Sequence, residues 1–327
     1  MTATARGRLT RFAWLSIAAA LATIALKTSA FAITGSVGLL SDAMESVVNL
    51  VAAVVALAAL TVAARPADDT HHYGHGKAEY FSAAVEGAMI LVAALLIVIS
   101  AAERLIHPQA LQSVGVGLAI TALASVINLA VGLLLIRVGK QHRSITLEAD
   151  GKHLMTDVWT SVGVIIGVAL VWLTGWERLD PIIALCVGVN ILWTGYHLVS
   201  RSTAGLMDAA LPRADLMTIE SVLERHRCDT VQFHALRTRE SGHHRFVSVH
   251  VLVPGDWSVQ RGHDLLEELE ADIVDRLPGT TVETHLEPLE DPASWRDVEL
   301  GPDRVSARPA TPPSDEDEHT ASSGGPA

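Results

Sequence analysis

The chain has 327 residues, half of them hydrophobic, with a mean hydropathy of +0.34 and a formal charge of -12. A soluble domain of that length rarely reaches such hydropathy, so a membrane protein is the first reading, and the acidic balance argues against a nucleic-acid partner. The two cysteines, Cys186 and Cys228, stand far apart in dissimilar surroundings and suggest neither a disulfide framework nor a cysteine metal knuckle.

Six stretches are apolar enough to cross a bilayer as helix, which takes about 20 mainly apolar residues. They are Phe12–Ile33, Leu39–Ala63, Phe81–Ile106, Ser113–Val138, Val158–Gly175 and Pro181–Ser200. Arg6, Arg8 and Arg11 before the first, with "AFA" at Ala30–Ala32, also have the look of a signal peptide. Lys27 interrupts that run and no polar secreted domain follows, so the stretch reads as a span. Arg6, Arg8 and Arg11 precede span one, Arg65 and Lys77 follow span two, and Arg137, Lys140, Arg143 and Lys152 follow span four. Arg201 follows span six, and the opposite loops carry few positive charges, mainly Arg104 and Arg178. By the positive-inside rule both termini are cytoplasmic, in a multi-pass protein of the cytoplasmic (inner) membrane.

From about Met207 the pattern becomes that of a soluble domain. "PRADLMTIESVLERH" is an amphipathic helix, "DTVQFHALRTRES" and "HHRFVSVHVLV" alternate as strands, and "ESGHH" reads as a hairpin turn between them. "VQRGHDLLEELEADIVDRL" is a second helix and "TTVETHLEP" a third strand. The expected fold class is an α-helical membrane protein of six transmembrane helices with a small cytoplasmic α+β ferredoxin-like domain of order αββαβ. The expected divisions are a cytoplasmic segment at 1–11, the six-helix domain at 12–206, a cytoplasmic domain at 207–292 (metal-binding, and the dimerisation domain by the resemblance given below), and a disordered acidic tail at 293–327.

Three groups of residues have the chemistry of metal ligands. His153 and Asp157 are four apart, hence on one helix face, at the mouth of the fifth span. On the second span Asp42, Glu45 and Asn49 fall at i, i+3 and i+7, again one stripe. A charged group at mid-bilayer costs about 2.5–3.5 kcal/mol on insertion scales, so such residues face a bundle interior, paired or functional. Glu45, Asn49, His153 and Asp157 together suit a first-row divalent cation, with Asp42 an accessory ligand or a helix-entry residue. The alternative is a set of interhelical hydrogen bonds with an ion pair to Lys27, and Asn128 and Asn190, alone on their spans, read that way. In the loop "RPADDTHHYGHGKAEYF", Asp68, His71 and His75 surround a glycine-broken turn, with Asp69 and His72 as spare candidates. In the soluble domain His234, His250, His263 and His285 lie on or beside the predicted strands and second helix, and Glu287 shares a strand face with His285.

These residues resemble the cation diffusion facilitator family, in particular its bacterial zinc and ferrous-iron efflux members. "MESVVN" on the second span, "PADDTHHYGHGKAE" after it, "HLMTD" on the fifth, and "FHALRTRESG" with "THLEP" carry the resemblance, which covers about Arg11 to Pro292. It implies a homodimeric antiporter that exports a divalent metal in exchange for protons. The transport site would be Glu45, Asn49, His153 and Asp157, the loop site Asp68, His71 and His75. The cytoplasmic site would be binuclear, on His234, His250, His263, His285 and Glu287. The resemblance also places Lys77 against Asp208 near the dimer contact. Where the efflux relatives commonly carry Asp or His and then Asp on the second span, this chain has Glu45 and Asn49, and Asn49 cannot bind a transported proton. Zinc is the first expectation, with iron(II), cobalt and manganese also fitting the donors. Two rival readings are a metal-dependent intramembrane hydrolase, whose usual H-E-x-x-H motif does not occur, and a metal-gated channel or sensor.

Overall fold

The structure, a computed structural model, describes residues 9–34, 37–107, 115–176 and 178–295. Within these ranges some helical side chains, those of Asp42 and Glu45 included, are outside the description. The acidic tail beyond residue 295 and the segment before residue 9 also lie outside the described residues. The described residues fall into two compact units, one within Met1–Ala210 together with Arg239–Arg245, the other within Leu211–Thr238 and from Phe246 onward.

The first unit holds six long helices: α1 (Thr10–Thr34), α2 (Val37–Ala63), α3 (Ala78–Ile106), α4 (Gly115–His142), α5 (Ile145–Thr174) and α6 (Leu179–Leu206). Among the described residues, four stretches are long and apolar enough to cross a membrane: Thr10–Ser29, Ala78–Ile106, Ala119–His142 and Pro181–Leu206. Asn49–Ala63 of α2 is a shorter apolar stretch. Many large apolar side chains point outward, though Tyr80, Ile90, Leu135 and Leu198 are buried. On α3, Phe81, Val92, Leu95, Leu96 and Ile99 are exposed while Ala83 and Ala94 are buried, as expected where the solvent is lipid and close helix approach is the source of stability.

Helix α5 starts at Ile145, well before Val158, where the apolar span begins. Polar residues broke the apolar run but not the helix, because each has a partner. Glu148 pairs with Lys152 at 3.0 Å and Arg201 at 2.9 Å, and Asp150 accepts from the Ser16 hydroxyl at 3.0 Å. Ser144 caps the start: its Oγ accepts from the Leu147 amide at 3.4 Å and donates to Glu79 Oε2 at 2.5 Å.

Helices α4 and α5 cross at Gly132 and Gly151. A Cβ on Gly151 would lie 2.8 Å from the Gly132 carbonyl oxygen and 2.9 Å from the Ile136 amide nitrogen, both backbone atoms that cannot swing aside. Gly151→Val is therefore expected to wedge α4 off α5 at a cost of at least about 1–3 kcal/mol. Size-exclusion chromatography in detergent and thermal melting check it; a protein that melts with the parent would count against this packing.

The elements after residue 211 run α7 (Arg213–His226), β1 (Gln232–Ser241), β2 (His244–Val253), α8 (Val259–Arg276) and β3 (Thr280–Pro288), with sheet order β1-β2-β3, and all but the Arg239–Arg245 hairpin belong to the second unit. Val247, Val249, Val251 and Val253 of β2 face a core completed by Ile219, Val222 and Leu223 of α7 and Leu269 and Ile273 of α8. The two-residue side-chain period sends the residues between these valines to the opposite face. On β1 the phase changes at Ala235, whose φ is +50°. Phe233 enters the core before it and Leu236 packs against the core after it, leaving His234 on the face away from the helices.

Candidate metal centres

In the helical unit Asn49, Asn128, His153 and Asp157 are all buried and meet at one place. The Asn49 Nδ2 group donates to Asp157 Oδ2, and its Oδ1 lies 2.6 Å from His153 Nε2. Asn128 Nδ2 donates to the same Asp157 oxygen at 3.0 Å. Thus α2, α4 and α5 each contribute, and the i, i+4 pairing on α5 aims both of its side chains at the stripe on α2. Asn128 is indeed an interhelical hydrogen-bonding group, but its partner is one of the site residues, a convergence that a solitary polar residue in a span does not reveal. Its Oδ1 and His153 Nδ1 are buried without hydrogen-bond partners. The side chains of Glu45 and Asp42 lie outside the described residues. One carboxylate, one imidazole and two amides give a donor set with hard oxygens and one borderline nitrogen, suited to a first-row divalent cation.

The loop residues Asp68, His71 and His75 also come together. Asp68 lies 3.5 Å from His71 Nδ1 through Oδ1 and 3.4 Å from His75 Nε2 through Oδ2, with the two rings 4.4 Å apart. Their ligand atoms could hold one ion. The Thr70 hydroxyl donates to Asp68 at 2.7 Å, the Thr70 amide at 2.9 Å and the His71 amide at 2.8 Å. These hydrogen bonds, the Thr70 hydroxyl first, hold the carboxyl well below the usual carboxylate range. The group is therefore an anion already turned toward the imidazoles. Asp69 and His72 are exposed, outside this cluster.

The histidine face of the sheet makes a third cluster. His234 Nε2 lies 2.8 Å from Glu287 Oε2, while His250 Nδ1 and His285 Nδ1 lie 3.3 Å and 3.5 Å from Glu287 Oε1. His234, His250 and Glu287 could share one ion, with the more exposed His285 at the rim. Trp295, its indole donating to the Leu289 carbonyl at 2.9 Å, stands against His234. His263 does not join them: it is exposed on α8, 4.0 Å from Glu267 one turn on. Near the ends of α3 and α6, Lys77 pairs with Asp208 at 2.9 Å, and Arg239 lies 3.5 Å from the same carboxylate.

Residues 13–207 match the family model of the cation efflux transmembrane domain, and residues 211–289 that of the cation efflux protein cytoplasmic domain. The chain is 57% identical over 290 residues to the uncharacterised transporter sll1263 of Synechocystis sp., covering 88% of this chain and 94% of that one. It is 32% identical over 286 residues to the cation-efflux pump FieF of Klebsiella pneumoniae, covering 86% of this chain and 94% of the relative. The solved metal-bound C-terminal domain of the CzcD transporter from Thermotoga maritima is 29% identical, covering 25% of this chain and 98% of that structure at a TM-score of 0.22.

Proposed function

Because the chain belongs to the cation diffusion facilitator family of cation efflux transporters, a membrane family and not an enzyme family, we propose that it exports a divalent metal from the cytoplasm by proton antiport. The observation that carries this reading is the buried meeting of Asn49, Asn128, His153 and Asp157. Glu45, on the same helix as Asn49, completes the proposed transport centre. Imidazole and carboxylate must lose protons to bind metal, so one place can hold either a cation or protons. If the helices open the centre to one side at a time, metal leaves as protons enter. The cargo is a first-row divalent ion: Zn2+, Fe2+, Co2+ or Mn2+.

In this reading the six long helices all cross the cytoplasmic membrane, with both termini in the cytoplasm and the boundary to the soluble domain near residues 206–207. The protein works as a homodimer joined through the soluble domain, with Lys77 and Asp208 locking helix ends near the contact. Metal at Asp68, His71 and His75 and at the histidine face of the sheet regulates it, His263 entering the second site only when that site fills. The acidic tail beyond Trp295 is a solvated appendage, whereas Trp295 itself, inside the stretch expected as tail, is held by the Leu289 carbonyl.

The deciding experiment is metal flux into vesicles holding the purified full chain, with and without an imposed pH gradient. Antiport requires that flux respond to the gradient and dissipate it; flux indifferent to it would leave a channel. Asn128→Ala removes one hydrogen bond to the Asp157 carboxylate, a loss of about 1.5 kcal/mol. The apparent affinity for transported metal is expected to fall about tenfold with the maximal rate retained. Unchanged affinity in the same vesicles would remove Asn128 from the centre.

A further inference from the structure

Two carboxylates of the helical unit take no part in the metal centres. Glu86 on α3 is fully buried and Asp150 on α5 is 1% exposed. Glu86 Oε1 accepts from the Ser82 hydroxyl one turn earlier at 3.4 Å, and Asp150 Oδ1 accepts from the Ser16 hydroxyl of α1 at 3.0 Å. The other oxygen of each, Glu86 Oε2 and Asp150 Oδ2, is buried with no hydrogen-bond partner. They stand on packed helices: Ala83, one turn before Glu86, and Ala149, next to Asp150, lie in one buried cluster.

Among the described residues neither forms an ion pair, and the charges on the surrounding helices are engaged elsewhere or stand apart. On α1, Lys27 is about 16 Å along the axis from Ser16. On α3, Glu79 is bonded to Ser144. On α5, Glu148 and Lys152 are partners, joined by Arg201 of α6, and His153 faces Asn49. Arg137 and Lys140 of α4 are exposed, as is His197 of α6, which lies edge-on to Trp193. The acidic side chains of α2 lie outside the described residues.

An ionised carboxylate buried without a countercharge costs several kcal/mol. A buried acid relieves this by holding its proton. The bland alternative, simple interhelical hydrogen bonding, is met by the two serines and leaves the second oxygen of each acid unexplained.

We propose that Glu86 and Asp150 form a proton-binding site separate from the metal centre, loaded in the conformation described here and emptied when α5 moves. The inference rests on the antiport reading for its purpose. Asp150 stands one turn before His153 on the same helix, so a motion of α5 that opens the metal centre also exposes the pair. On exposure the acid O–H passes its proton to water; on return the carboxylate takes one from the other side.

The test is infrared spectroscopy of the full chain in lipid nanodiscs without metal, reading the deuterium-sensitive C=O stretch of protonated carboxylic acids at neutral pH. That band is expected in the parent and in Asp157→Asn, and is expected to vanish in the double variant Glu86→Gln, Asp150→Asn. If the double variant does not fold, Glu86→Gln and Asp150→Asn are read singly, and each should shift or remove the band. A spectrum unchanged by these substitutions overturns the site. In vesicles the response of metal flux to a pH gradient should fall at least several-fold in the same variants. A full response despite loss of the band overturns the coupling role. Should the parent itself show no response, antiport fails while the infrared result still decides whether the pair holds a proton.

Discussion

Vesicles carrying Asp157→Asn are expected to lose metal flux by about 100-fold, with the protein still folded and assembled. Asp157 accepts from Asn49 and Asn128 through one oxygen, and it is the single carboxylate of the proposed transport centre among the described residues. An amide in its place removes the negative charge that would balance a divalent cation. Its own NH2 group would also face two amide donors, or its oxygen would accept from them without the charge that strengthens the bond. Two charge-assisted hydrogen bonds and one charged ligand together are worth about 3 kcal/mol, which is about 100-fold in occupancy. Flux, size-exclusion profile and thermal melting on one preparation check the result. Near-normal flux would show that the ion does not pass through this place.

The second large effect is expected from Glu287→Gln. Three imidazoles converge on this carboxylate, at 2.8, 3.3 and 3.5 Å, so it supplies both the charge and the geometry of the cytoplasmic cluster. Without it three imidazole nitrogens would confront a divalent ion with no carboxylate to balance its charge. Metal affinity of the soluble domain, followed by isothermal titration into the full-length Asp157→Asn protein to silence the transport centre, should fall about 100-fold. Slow transport should survive in Glu287→Gln alone. A variant that binds metal as tightly as its parent would show that the ion, if any, sits elsewhere on this face.

Much of this was legible from residue spacing. The four-residue interval of His153 and Asp157 places them on one face whatever surrounds them, and period-two alternation set His285 and Glu287 on one strand face. Other features depend on distances between helices that no local pattern encodes. Asn128 looks like any solitary amide in a span until Gly132 and Gly151 let α4 and α5 close together. How far α5 extends before its apolar span was hidden because hydropathy scores Glu148 and Asp150 as breaks, whereas they have partners on α6 and α1. The phase change at Ala235 was also unreadable, since alanine carries no preference for a positive φ. His263 marks the opposite limit: a histidine at a suggestive position remained 4.0 Å from a glutamate of its own helix.

The two-faced sheet has a consequence for how the soluble domain responds to chelation. Its valines, with the apolar stripes of α7 and α8, build a closed core that includes none of the histidines. Small zinc domains, by contrast, unfold when the ion leaves because the ion is their core. An ion held by the histidine face would therefore sit on a finished scaffold, and chelation is expected to leave the soluble domain folded.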